Sequence, residues 1–298
     1  MFTIAHLSDV HLSPLPRPAL TQLWGKRLSG FLSWQLNRHK IHKRHVLDAI
    51  TRDIAAVKPD HIAFTGDLVN IALPAEFTAG EQWLKTLGSP RDVSMVPGNH
   101  DAYTPSGLAQ ALADLRPWME SDSAQPGPQF PFARYRRNVA IIGLCTGVPT
   151  PVFNASGTLG QEQLKRLALL LQQTRSRGFA RVVMLHHPPA PGLTIPRKAL
   201  TDAADLQAVL ARHGAELVLY GHNHLHQSHV IDAAEGPVPC FGVPSASALP
   251  YPGHPPAAWN QFTLRRTEGN WRINAMVRSF DPATGIVETS REFTVSGA

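Results

Sequence analysis

The stretch YGHNHLH, residues 220–226, places histidines at 222, 224 and 226, directly after the apolar run ELVLY. Alternate residues of an extended chain share one side, so the spacing predicts three imidazoles converging on one point. Imidazole serves as metal ligand, general base and proton carrier. Taken alone, a histidine-rich polar loop explains the stretch equally well. Four other stretches change that balance, because each follows a short apolar run and carries the same kinds of side chain. SDVH brings Asp9 and His11 after FTIAHL, and GDLVN brings Asp67 and Asn70 after HIAFT. PGNHD brings Asn99, His100 and Asp101 after VSMV, and HHPP brings His186 and His187 after RVVML. In open α/β sheets, ligand sites form beyond the carboxyl ends of the strands. Five strand ends with carboxylate, amide or imidazole groups are improbable as separate accidents.

Asp, Asn and neutral His are oxygen and nitrogen donors. They suit Mn, Fe, Zn, Co or Ni, and the lack of thiolate or thioether donors argues against a soft site. The set is larger than the four ligands of one tetrahedral ion; it fits two ions sharing a carboxylate. Two metals about 3.5–4 Å apart form a clamp for in-line displacement at phosphorus, and a bound metal acidifies its water.

These groups need a scaffold, and the hydrophobic pattern supplies one. Strand-like runs occur at 2–7, 61–66, 93–96, 139–144, 181–185 and 216–220. Helical spacing appears at 45–57, where 46, 47, 50, 54 and 57 are apolar, and again at 76–87, 161–175 and 202–212. After residue 226 the pattern turns to short β segments: QSHVI, PCFGV, NQFTLRR and WRINAMVRSF. Strands alternating with helices argue for a layered α/β domain. The β-rich end predicts two sheets packed face to face with helices outside, within one domain over 1–298.

Residues 14–44 interrupt this rhythm. Apolar residues at 20, 23, 24, 28, 31, 32 and 36 fit one helical face, and Lys26, Arg27, Arg38, Lys40, Lys43 and Arg44 supply basic charge. Three readings stay open: a lid, a helix lying in an anionic lipid surface, or a core-packing insertion with a solvated basic edge. Gly25 and Gly30 weaken a free-standing helix. His39, His42 and His45 read as part of a basic solvated face.

The chain has 298 residues, 43% hydrophobic and 17% charged, with a net charge of +6 when histidines are neutral. That surplus suits anionic partners without choosing among them. The only cysteines, Cys145 and Cys240, make no disulfide framework. The opening MFTIAHLSDVHL lacks a basic leader, and no run approaches the 18 or so apolar residues of a membrane-spanning helix. The expectation is a cytoplasmic protein, with contact to the inner membrane face through 20–44 left open. There is no P-loop, no G-x-S-x-G elbow and no specific nucleic-acid surface. Oligomeric state stays open.

In order, the five blocks resemble the calcineurin-like metallophosphoesterase superfamily, whose pattern is D-x-H, G-D-x-x-[N/D], G-N-H-[D/E], a later His and G-H-x-H. Here they read Asp9-Val-His11, Gly66-Asp-Leu-Val-Asn70, Gly98-Asn-His-Asp101, His186-His-Pro-Pro and Gly221-His-Asn-His224, spanning residues 6–224. The resemblance implies a four-layer α/β/β/α sandwich of two mixed sheets. It implies one metal on Asp9, His11, Asp67 and His224, and another on Asp67, Asn99, His186 and His222, with Asp67 and a hydroxide nucleophile bridging. The ions would be Mn, Fe or Zn. His100 would face the substrate phosphate, stabilising charge or protonating the leaving oxygen, with Asp101 orienting its ring. His186 is preferred over His187 as ligand because it comes first off the strand. His226 lies outside the motif and reads as an exposed loop residue.

Asn70 and GNHD depart from the Ser/Thr protein phosphatase form and look more like the bacterial phosphodiesterase branch, the class III cyclic-nucleotide enzymes and their relatives. That branch implies hydrolysis of a cyclic nucleotide or similar small phosphodiester. Two alternatives remain: a UDP-diacylglucosamine-type pyrophosphohydrolase at a membrane surface, which the basic 20–44 segment favours, and a non-catalytic scaffold on the same fold.

Overall fold

The computed structural model describes residues 1–123 and 129–295. Its first half runs β1 (Phe2–Leu7), α1 (Lys26–Ser33), α2 (His39–Ile41), α3 (Arg44–Val57), β2 (His61–Phe64), α4 (Pro74–Leu87), β3 (Val93–Met95), α5 (Pro105–Asp114), β4 (Phe132–Arg136) and β5 (Val139–Gly143). The second half adds α6 (Gln161–Ser176), β6 (Ala180–Met184), α7 (Ala203–His213), β7 (Leu217–Tyr220), β8 (Gln227–Ile231), β9 (Val238–Gly242), β10 (Ala258–Thr267), β11 (Asn270–Phe280) and β12 (Val287–Val295). Two six-stranded sheets result, in the orders β12-β11-β10-β1-β2-β3 and β4-β5-β6-β7-β9-β8. Both are mixed. β1, β2 and β3 are parallel neighbours, as are β5, β6, β7 and β9, while hairpins complete the antiparallel edges.

The two-residue strand period distributes the apolar side chains between two cores. Ile141, Val182, Met184, Leu217 and Leu219 join Ile4, Phe64 and Met95 of the other sheet. The intervening Ile142, Val183, Leu185, Val218 and Tyr220 pack with Leu164, Leu167 and Leu171 of α6 and Leu206 and Leu210 of α7. Strands covered on both faces read as continuous apolar runs, which is why these segments are plain in the sequence. On the far side of the first sheet, α3 buries Val46, Leu47, Ile50 and Ile54. The layers are therefore helix, sheet, sheet, helix, as the resemblance implies.

Some elements carried too little periodicity to be read. Small residues and Gly107 fill α5; its start is set by Pro105 and by the Thr104 hydroxyl, which accepts from the Gly107 N–H at 3.1 Å. Strand β12, VETSREFTV, is a largely exposed edge.

The segment 14–44 corrects the single helical face expected there. It breaks into a 3₁₀ turn at Leu20–Gln22, helix α1, a π-helical turn at Trp34–Arg38, and α2. Leu23, Phe31 and Trp34 pack against the core. Leu20, Trp24, Leu28, Leu32 and Leu36 stay exposed. There are two apolar faces, and one meets solvent.

Buried histidines make this fold acid-sensitive. His6 of β1 lies beside the Thr65 hydroxyl, with Nε2 to Oγ1 3.0 Å, and burial pushes it from 6.5 down to about 3. Between those values the unfolded chain holds a proton that the folded chain refuses. Stability therefore falls as pH drops below 6.5, by about 1.4 kcal/mol per pH unit for this ring. Urea unfolding at pH 7 and pH 5 tests this: wild type is expected to lose about 2 kcal/mol more than His6→Gln. Equal losses would show that His6 does not titrate differently in the two states.

Candidate metal centre

The candidate residues sit in the loops just beyond β1, β2, β3, β6 and β7. Five have left-handed backbones: Asp9 (φ 54°), His11 (φ 41°), Asp67 (φ 58°), His222 (φ 72°) and His224 (φ 55°). Each such non-glycine residue costs on the order of 1–3 kcal/mol and persists where its surroundings over-determine it. The extended run expected through 220–226 is thereby corrected. His222 and His224 turn inward through left-handed turns, and His226 lines a separate cavity with Phe241, Asn260 and Phe293. Two of the three rings converge, and His226 is half-buried rather than exposed.

Backbone pairing holds the loops in register. Asp9 N–H donates to Gly66 O at 2.9 Å, His11 N–H to Asp67 O at 2.9 Å, and Gly221 N–H to His186 O at 3.0 Å. The approach is so close that a Cβ at Gly221 would overlap Ser8 Oγ and Asp9 Oδ2, and one at Gly98 would overlap Asp67. Glycine is the side chain that fits.

Seven side chains form two groups that meet at Asp67. In one, His11 Nε2 lies 3.3 Å from His224 Nε2 and 3.8 Å from Asp67 Oδ2, while His224 Nε2 lies 3.1 Å from Asp9 Oδ1. In the other, Asn99 Oδ1 lies 3.1 Å from His186 Nε2 and 2.9 Å from His222 Nδ1. His186 Nε2 is also 3.2 Å from His222 Nδ1 and 3.4 Å from Asp67 Oδ2. Bonds of about 2.0–2.1 Å to one cation set adjacent donors about 2.9–3.4 Å apart. All but one of these separations lie in that range.

The donor chemistry asks for positive charge. His186 Nδ1 donates to Thr65 O at 2.7 Å, so in the neutral ring Nε2 is bare and faces two oxygens. Burial opposes a charge on this ring, yet the Asp67 carboxylate outweighs it and pushes His186 up to about 9. Burial likewise favours a protonated Asp67, but His186, His100 and His11 hold it well below the usual carboxylate range. Asp9 Oδ1 is buried and makes no well-aligned hydrogen bond, although His224 Nε2 lies 3.1 Å away. The residues fit a pair of cations, one beside each group, sharing Asp67. Outer partners turn the rings: Val69 O lies 3.2 Å from His11 Nδ1 and Tyr251 Oη 3.2 Å from His224 Nδ1, the arrangement that aims imidazoles at metals. His187 packs its ring 4.5 Å from that of His222, centre to centre, but both its nitrogens are tied elsewhere, to the Thr146 hydroxyl at 2.8 Å and Ala155 O at 3.0 Å.

Asp101 departs from expectation. It does not touch the His100 ring. Its carboxylate accepts the N–H groups of Asp67, Leu68, Val69 and Gly98 at 2.8–3.2 Å, tying the β2 and β3 loops together. Burial and the nearby Asp67 charge push it up to about 7, against the pull of those donors. His100 is instead held by Asn70 O, 2.5 Å from Nδ1, and stacks on Tyr103 with ring centres 5.4 Å apart. Asn70 also donates from Nδ2 to Leu12 O at 2.9 Å, joining a third loop. His42 corrects the solvated-face reading. It is 3% exposed, 2.8 Å from the Ser247 hydroxyl through Nδ1, and its ring centre lies 4.6 Å from that of His11.

A cavity of about 500 Å³ opens over the cluster, lined among others by Lys26, Arg38, Tyr103, Lys198 and Tyr251. The sequence reading missed all five as site residues. Arg38 donates to His11 Nδ1 at 2.7 Å and lies 3.2–3.3 Å from both His100 ring nitrogens. With a cation on His11 Nε2, Nδ1 would carry the proton toward Val69 O, and Arg38 would be left for an anion in the cavity. The sole signal for it was a basic run without acids, 27 residues from His11.

The sequence profile of calcineurin-like phosphoesterases matches residues 2–226. The chain belongs to the calcineurin-like phosphoesterase family. It is 27% identical over 229 residues to a cAMP/cGMP dual specificity phosphodiesterase of Mycobacterium tuberculosis, a match covering 75% of this chain and 62% of that protein. It is 25% identical over 224 residues to the glycerophosphodiester phosphodiesterase GpdQ of Enterobacter lignolyticus, covering 74% and 70%. The fold of the chain also matches a dimetal phosphatase from Danio rerio, with TM-score 0.63, 14% identity, and 100% and 99% of the two chains covered. A purple acid phosphatase from yellow lupin matches at TM-score 0.57 and 12% identity, over 99% of this chain and 53% of that one.

Asp101→Asn replaces an acceptor oxygen with an amide facing backbone N–H groups. Thermal and urea unfolding are expected to show a loss of about 1–3 kcal/mol, with weaker metal uptake. Unchanged stability with a slowed reaction would instead support action through the His100 ring.

Proposed function

We propose that the chain is a metal-dependent phosphodiesterase of small diesters, cyclic nucleotides among them. The observation that carries this is the meeting of two donor groups at Asp67, on the floor of a cavity whose other charged groups are all cations: Lys26, Arg38, Arg197 and Lys198. The two curated relatives are both named phosphodiesterases. The cavity of about 500 Å³ falls within the size range of small-ligand sites.

Asp9, His11, Asp67 and His224 would hold one divalent ion, and Asp67, Asn99, His186 and His222 the other. Such a pair supplies charge neutralisation at the phosphoryl oxygens and a water acidified toward hydroxide. The chain's own groups do the rest. Arg38 and Lys26 bind and orient the phosphate oxygens. Hydrolysis joins a water oxygen to phosphorus and breaks one P–O bond, whose leaving oxygen takes a proton. His100 is set to give it. Its Nδ1 is occupied by Asn70 O, leaving Nε2 beside Arg38. Burial and Arg38 push His100 down to about 3; an anionic phosphate alongside favours the second proton that Nε2 must carry.

Turnover by the Mn²⁺-loaded chain tests this. Bis-p-nitrophenyl phosphate and cyclic AMP are expected to be cleaved faster than p-nitrophenyl phosphate. His100→Ala is expected to lower kcat by on the order of 10²–10⁴ with metal content unchanged, and Arg38→Ala to raise KM. Monoester preference, or full turnover in His100→Ala, would overturn the reading.

A further inference from the structure

We propose that Leu20–Leu36 and the loops beside it form a docking face for an anionic lipid bilayer, holding the cavity mouth at the membrane surface. Leu20, Trp24, Leu28, Leu32 and Leu36 recur every four residues and are 87%, 81%, 46%, 51% and 65% exposed. Leu28 and Leu32, one turn apart on α1, share a face of that helix, and Leu20, Trp24 and Leu36 extend the exposed apolar surface from the segments on either side of it. The opposite face already meets the core through Leu23, Phe31 and Trp34. The outer stripe is thus surplus to folding, and so large an exposed apolar surface marks an interaction site.

The stripe continues into the cavity rim. Lys26 Nζ donates to Thr150 Oγ1 at 2.7 Å and Asn154 O at 3.1 Å, tying α1 to the loop that carries Val152 and Phe153, 40% and 82% exposed. Ala155 N–H donates to Arg197 O at 2.9 Å, joining the loop that carries exposed Ile195.

Charge decides the occupant. Residues 10–47 hold no Asp or Glu; Arg17, Lys40 and Arg44 stand exposed there, while Lys26 and Arg38 face the cavity and Arg27 donates to Ile71 O and Ala72 O. Residues 148–161 and 186–201 also hold no Asp or Glu, and the latter adds Arg197 and Lys198. A second copy would bring like charges face to face. An apolar stripe flanked by cations is the form of a helix lying in the plane of an anionic membrane. Among the described residues no helix is long and apolar enough to cross one, so the contact is peripheral.

Co-sedimentation of the metal-loaded chain with vesicles of equal parts phosphatidylglycerol and phosphatidylcholine tests this. Wild type is expected to bind them, to release in high salt, and to ignore pure phosphatidylcholine. The triple variant Leu28→Ser, Leu32→Ser, Leu36→Ser is expected to lose binding by about tenfold or more, with turnover of bis-p-nitrophenyl phosphate unchanged. Quenching of tryptophan fluorescence by brominated lipid is expected to fall in Trp24→Phe. No binding to the anionic vesicles, or equal binding by the triple variant, would overturn the proposal. So would a wild-type dimer that the triple variant turns into a monomer without any vesicle binding, since the face would then belong to a second copy. Because binding is read apart from turnover, failure here leaves the catalytic reading standing, and loss of catalysis leaves this one standing.

Discussion

A carboxylate buried at the meeting point of two sets of nitrogen and oxygen ligands needs positive charge beside it. Asp67 is that carboxylate. It is 2% exposed, and His11 Nε2 and His186 Nε2 approach the same oxygen, Oδ2, from either side. A buried charge without compensation is among the most expensive features a fold can carry. His186 supplies that charge by holding a proton unusually tightly, and two cations would supply it better. The rest of the centre follows from this requirement.

The loops around Asp67 are shaped by it. Left-handed residues at 9, 11, 67, 222 and 224 turn polar side chains into a space that regular strands could not fill. Close approach of the loops excludes a Cβ at Gly98 and Gly221. Asp101 and Asn70 bind the loops to one another, and the intervening Val10, Leu68 and Val69 pack into the core, so hydrogen bonds and apolar packing together hold the strain. The parallel strands beneath supply the rigid base: the four-residue β2 and the three-residue β3 are buried throughout, and each ends at a donor loop.

How much of this was legible depended on whether the signal was local. Strands covered on both faces announce themselves as apolar runs, and β1, β2, β3, β6 and β7 were all readable with their donor residues. Exposed β12 and small-residue α5 were not, because neither carries a strong period. The grouping of donors around Asp67 was readable from motif order. The backbone that achieves it was not: alternate spacing at 222 and 224 suggested a strand, and left-handed turns do the work. Asp101 misled for a similar reason, since adjacency to His100 in sequence says nothing of which way a side chain leaves a turn. Arg38 and His42 could not be found without the fold. They reach the centre from a segment whose two apolar faces look like one in a linear count.

That segment links the centre to its surroundings. Its inner face supplies Arg38 to the cavity and packs Phe31 and Trp34 on the core, while its outer face is apolar and flanked by cations. Chemistry and location therefore share one short stretch of chain. The central claim, though, concerns Asp67, and anomalous diffraction from crystals of the native chain addresses it most directly. Two anomalous peaks about 3.5–4 Å apart, one on each side of the Asp67 carboxylate, are the predicted result. A single peak, or none within bonding distance of Asp67 while metal is present in the crystal, would contradict the shared-carboxylate account.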